Sequence, residues 1–288
     1  MSDTDAPRRP GPWDTKPEEA APAPRAAEPA VRSRAAAAEP PLDKGQHPVW
    51  AIVSTLLLGG LIYYWTRSFM VVGAALFGLL VHEYGHVLAM NRLGMGPARI
   101  YIIPFLGGVA RSQRLPETEW HGVLVSLAGP AFGLLAAIPF FAGFIATGQG
   151  VWLLGAAVIA LINLVNLAPA PPLDGSKALG PVLAGIHPML ERAAMIAFGV
   201  LVVWWSLTSG REFLAIFLGI ALVGHLRRGA WRPEGRPLTA RESLSSVALW
   251  AVTAIACAGV GVAALMPLAE GSLPGALSAG GGFLGLGR

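Results

Sequence analysis

Charge is scarce in this chain. Charged residues make up 13% of the 288, against about 25% in a soluble domain, while hydrophobic residues reach 54% and the mean hydropathy is positive. That balance excludes an ordinary soluble globular domain and points to a protein that crosses a membrane several times. Cysteine is nearly missing too: Cys257 stands alone, which excludes an intrachain disulfide and a thiolate zinc cluster. The formal charge is +4, yet the arginines fall in short loops between apolar runs with no aromatic-interleaved basic face, so nucleic acid is excluded as a partner. The beginning lacks the layout of a cleavable signal peptide, because the first apolar run starts only near Val49. The first span is therefore expected to be an uncleaved anchor.

What is present divides into three regions. Residues 1–47 are rich in Ala, Pro and both signs of charge, with little that is large and apolar beyond Trp13, Val31 and Leu42, and read as a disordered tail. Residues 48–230 hold six apolar spans, Pro48–Thr66, Phe69–Leu93, Trp120–Thr147, Val151–Leu167, Leu190–Thr208 and Phe213–Leu226, most of them long enough for a ~30 Å hydrocarbon core. Residues 231–288 add a seventh, Leu244–Met266, and a Gly-rich tail. Between the second and third spans, Ile100–Ile103 and Val109–Ala110 flank Pro104, Gly107 and Gly108, which predicts a hairpin turning at those residues and dipping into the membrane. The expected fold is an all-α polytopic membrane protein with about six to seven transmembrane helices and a small membrane-embedded β-hairpin. Eighteen of the 21 Lys and Arg fall on one side if the N-terminus is cytoplasmic, so the positive-inside rule predicts that orientation.

The second span carries His82-Glu83-Tyr84-Gly85-His86. Imidazoles at i and i+4 share one helix face and can grip one Zn²⁺, and the glutamate beside the first can serve as general base. A charged group at that depth costs at least ~2.5–3.5 kcal/mol, which marks a functional site. A catalytic zinc site needs a third protein ligand, and His121, His187, His225, Asp174 and a few loop glutamates are the candidates. Asp174 stands apart, because Pro169, Pro171 and Pro172 forbid a continuous helix before it and unwind the chain near the membrane surface. Asn163 reads as an interhelical hydrogen bond, Gly129 and Gly133 as close helix packing, and Gly85 as room for the Asp174 segment.

The His-Glu-x-x-His helix, followed about 80 residues later by Asn166-Leu-Ala-Pro-Ala-Pro-Pro-Leu-Asp174-Gly175, resembles the site-2 protease family of intramembrane zinc metalloproteases, in a compact form without a PDZ insertion. The resemblance covers roughly residues 70–230 and extends to the Gly107-Gly108 segment and Ala128-Gly129-Pro130. It implies His82, His86 and Asp174 as ligands of one zinc, Glu83 as catalytic base, and Asn166 lining the cleft toward the substrate. Ser176 and Gly133 depart from the family pattern, which bears on substrate preference. The implied activity is cleavage of single-span membrane proteins within the lipid bilayer, as in regulated intramembrane proteolysis. A hairpin clamp of Ile102, Gly107 and Gly108 would hold the unwound substrate, and selection would rest on the core, the tail or a regulatory membrane partner. The alternatives are a zinc-binding scaffold without activity and a metal transporter. The latter would need polar residues continuing through Phe69–Leu80 and Val151–Leu161, which are apolar.

Overall fold

In the computed structural model, residues 45–103, 107–210, 212–228 and 235–284 are described. Residues 1–44 of the expected tail, residues 104–106 with Pro104 of the expected turn, and the end of the Gly-rich tail lie outside them. The described residues belong to one unit, Asp43–Arg288.

The apolar runs become helices with recognisable ends. His47 accepts a hydrogen bond from the Val49 N–H and Pro48 opens α1 (Pro48–Thr66), a position where a missing N–H costs nothing. Ser68 caps α2 (Phe69–Arg92). The hairpin follows as β1 (Arg99–Ile103) and β2 (Gly107–Arg111), and Thr118 caps α3 (Glu119–Gly133). A 3₁₀ turn at Leu134–Ala137, four residues beyond Pro130, joins α3 to α4 (Ile138–Thr147), so that one 29-residue apolar rod changes pitch near its middle. Then come α5 (Gly150–Asn166), α6 (Asp174–Ile186), α7 (Pro188–Thr208), α8 (Glu212–Arg228), α9 (Ala240–Leu265) and α10 (Leu273–Leu284).

Among the described residues five helices are long and apolar enough to cross a membrane: α1, α2, the α3–α4 rod, α7 and α9; α5 is a shorter apolar helix of 17 residues. This is the mostly helical architecture expected from composition. Two helices were not anticipated, α6 and α10, and α6 begins at Asp174 itself.

Helix α2 is central and packs against α1, α3 and α5. Apolar burial gives little drive inside lipid, so small residues that let helices approach closely matter most there. Ala74, Ala136, Ala137, Ala156, Ala157, Ala264 and Ala276 accordingly dominate one core cluster, around Phe140 and Ile159. Helix α9, expected only as an addition to the core, packs on α3, α5 and α6 with Ser246 and Cys257 fully buried. Ser246 donates to the Ala178 carbonyl at 2.7 Å, tying α9 to α6.

The hairpin is antiparallel, with Arg99 opposite Arg111 and Ile103 opposite Gly107. Gly107 and Gly108 are therefore the first two residues of β2 and not turn residues as expected. Gly107 has φ +104°, a conformation side chains rarely adopt, and a Cβ on it would touch Leu79 of α2 at 3.5 Å. Leu79 is the eleventh residue of the 24-residue α2, about 15 Å along it, so the hairpin lies against the middle of a spanning helix.

Candidate functional site

His82 and His86 sit one turn apart on α2 and point their Nε2 atoms at each other, 3.1 Å apart. Asp174 is the first residue of α6, where the positive end of the helix favours a carboxylate. Its Oδ2 lies 3.2 Å from both Nε2 atoms, and its Oδ1 lies 3.5 Å from Lys177 Nζ. All three residues are buried, as is Glu83.

The far side of each ring explains the cluster. His86 Nδ1 is 2.7 Å from the Val125 carbonyl, and His82 Nδ1 is 2.8 Å from Asn163 Oδ1. Both partners accept, so each Nδ1 carries its proton and each Nε2 of the neutral imidazoles presents a lone pair. Two imidazole nitrogens and a carboxylate oxygen thus converge on one point, an arrangement that a cation satisfies. Tetrahedral zinc with ligands at about 2.0–2.1 Å separates them by about 3.3–3.4 Å, close to the 3.1–3.2 Å found here. His82, His86 and Asp174 can therefore hold a metal ion.

Glycines clear the space around this point. A Cβ on Gly129 would overlap the His86 ring and come within 2.9 Å of His82 Nε2, so its lack of one leaves a cradle beside the converging atoms. Gly133 gives way in the same manner to the Asn163 amide. Both residues make room for the side chains of the site, where packing of helix on helix was expected. Gly85 lies against the Ala128 carbonyl and Phe132 of α3, not against the Asp174 segment. Gly175 packs on the Leu167 carbonyl, which closes the proline-rich turn before Asp174.

Glu83 lies under β2. A Cβ on Gly108 would strike the Glu83 side chain, and the Ala110 N–H donates to its carboxylate. The two hairpin edges differ. The Ile102 N–H donates to Gln46 Oε1 at 2.8 Å and Gln46 Nε2 donates to the Ile102 carbonyl at 2.9 Å, so the outer edge of β1 is taken by a glutamine side chain. Ile102 and Gly108 form a non-hydrogen-bonded pair, so Gly108 and Ala110 direct their backbone groups outward from β2, on the side of Glu83.

The remaining expected residues lie elsewhere. Asn166 donates its Nδ2 to the Ile162 carbonyl at 3.0 Å and has no hydrogen bond to the cluster. His187 caps α7 and His121 belongs to the first turn of α3; the His225 side chain lies outside what is described. Among the described residues the acceptors behind the imidazoles, Val125 and Asn163, complete the site. No sequence signal marks a backbone carbonyl such as that of Val125.

The fold and the cluster define a polytopic membrane protein with a buried group of two histidines and one aspartate that could hold a metal ion. Residues 70–151 match the model of Peptidase family M50. It is 30% identical over 160 residues to a Synechocystis sp. protein named "Putative zinc metalloprotease", an overlap of 52% of this chain and 39% of the relative. It is 29% identical over 201 residues to "Putative zinc metalloprotease Rip3" of Mycobacterium tuberculosis, covering 63% of this chain and 48% of that protein. The chain thus spans less than half the length of these relatives. No solved structure matches it.

Proposed function

We propose that this chain is a zinc endopeptidase that hydrolyses peptide bonds in or near the transmembrane segments of single-span membrane proteins. The observation that supports it is the convergence of His82 Nε2, His86 Nε2 and Asp174 Oδ2 beside the buried carboxylate of Glu83. Zinc held there supplies a Lewis acid that polarises the scissile carbonyl and acidifies a water. Glu83 is the general base: it takes a proton from the attacking water and returns it to the leaving amine as the C–N bond breaks. Water is consumed and no other reactant is needed. Asn166 faces the substrate backbone on this reading, after turning from Ile162.

Substrate must arrive unwound, because a helix buries its carbonyls in its own hydrogen bonds. The outward-facing backbone of Gly108 and the carbonyl of Ala110 on β2 offer an edge for strand addition beside Glu83. The N-terminus is cytoplasmic on this reading, supported by the 18 of 21 Lys and Arg on that side. Helix α2 then runs inward and the site opens toward the cytoplasm.

The test is Glu83→Gln in the purified full chain. Cleavage of a single-span substrate should vanish while zinc content stays at one per chain. His86→Ala and Asp174→Ala should lose both. A Glu83→Gln variant that still cleaves, or a wild type free of zinc, overturns the proposal.

A further inference from the structure

We propose that Asn163 is a positioning residue that holds the His82 imidazole in the tautomer a metal requires. This deepens the zinc reading of the same site and rests on it. Asn163 is fully buried on α5, a different helix from the one that carries His82. Its Nδ2 donates to the Ile159 carbonyl at 2.8 Å, an atom that can only accept. That bond settles which end of the amide is which: Oδ1 faces His82 Nδ1, at 2.8 Å.

Each step of the relay determines the next. The Ile159 carbonyl orients the amide, the amide oxygen requires the proton on Nδ1, and Nε2 is left with its lone pair aimed at Asp174 and His86. A third helix cooperates, since a Cβ on Gly133 of α3 would overlap both polar atoms of the amide. An amide fits this place with an orientation set from one side and room left on the other.

The two imidazoles are held by different means. His86 relies on the carbonyl of Val125, which no side-chain replacement removes. His82 relies on Asn163, a side chain that can be exchanged. Without its oxygen the His82 proton can move to Nε2, and there it occupies the position that must bind metal. Loss of such a partner typically costs about 10–100-fold in metal affinity.

The experiment compares zinc release to a chelator from the purified full chain carrying Asn163→Leu or Asn163→Asp. Leucine keeps the approximate volume and removes the acceptor; aspartate keeps an acceptor oxygen. Asn163→Leu should bind zinc about 10–100-fold more weakly, and Asn163→Asp should retain it within the wild-type range. A packing role would instead change the thermal stability of the metal-free protein and leave the release rate alone. Asn163→Ala serves as the second acceptor-free variant where leucine prevents folding. Wild-type zinc retention in an acceptor-free variant overturns the inference and leaves the metal site standing. A wild type that binds no zinc, with His86→Ala indistinguishable from it, overturns the zinc reading and this inference together.

Discussion

The indole N–H of Trp250 on α9 donates to the backbone carbonyl of Leu167 at 2.8 Å, and that same carbonyl lies against Gly175, the residue after Asp174. The last long helix therefore grips the turn that presents Asp174 to the histidines. Ser246 of the same helix holds the Ala178 carbonyl one turn into α6. Deleting α9 would release Asp174 from two sides.

Trp250→Phe tests that grip. It keeps an aromatic ring and removes the donor, so the protein should lose about 0.6–1.7 kcal/mol, the range for one buried polar contact between membrane helices. Thermal unfolding in detergent measures it. Zinc should also leave faster, because the Asp174 segment is held less firmly.

Gly129→Ala should empty the metal site. The added methyl overlaps the His86 ring and crowds His82 Nε2, so zinc content should drop sharply. Gly122→Ala on the same helix meets nothing within 4 Å and should behave as wild type. Equal zinc in the two variants would mean the histidines can move aside.

The hairpin edges can be separated by three substitutions. Ala110→Pro removes the N–H that reaches Glu83, and should abolish cleavage while zinc stays bound. Ile102→Pro removes an N–H that serves Gln46, so its effect should match that of Gln46→Ala. A much larger loss in Ile102→Pro than in Gln46→Ala would return the substrate to the β1 edge.

Orientation is open to chemical labelling in a Cys257→Ala background, since Cys257 is fully buried between helices. A cysteine at Arg67, between α1 and α2, should react with a membrane-impermeant thiol reagent in intact cells. One at Arg114 should react only after lysis. The reverse pattern inverts the proposed orientation.

The spans were legible because an apolar run of membrane length has few alternatives; α1 has the limits its composition predicts. The His-Glu-x-x-His spacing likewise fixes two imidazoles on one helix face, and the prolines before Asp174 set it apart. What the sequence hid was tertiary. Prolines at 169, 171 and 172 suggested an unwound segment, and nothing local announced that a helix starts at Asp174. Gly107 and Gly108 looked like a turn, yet one answers a positive φ and the other the approach of Glu83. Gly129 and Gly133 read as helix contact because small residues carry no record of what fills the space beside them. Asn163 read as an interhelical bond, and it is one; that its partner is His82 depends on how α5 lies on α2.

Gln46 has a consequence for where a chain would be cut. A two-stranded ribbon offers two edges, and here a side chain imitates a third strand on one of them, leaving a single edge beside Glu83. Backbone groups point outward from that edge only at every second residue, at Gly108 and Ala110. A docked segment can therefore shift along it only in steps of two residues without turning its side chains over. Secondary cleavage sites, where they occur, should fall two residues from the main one, with the intervening bond spared.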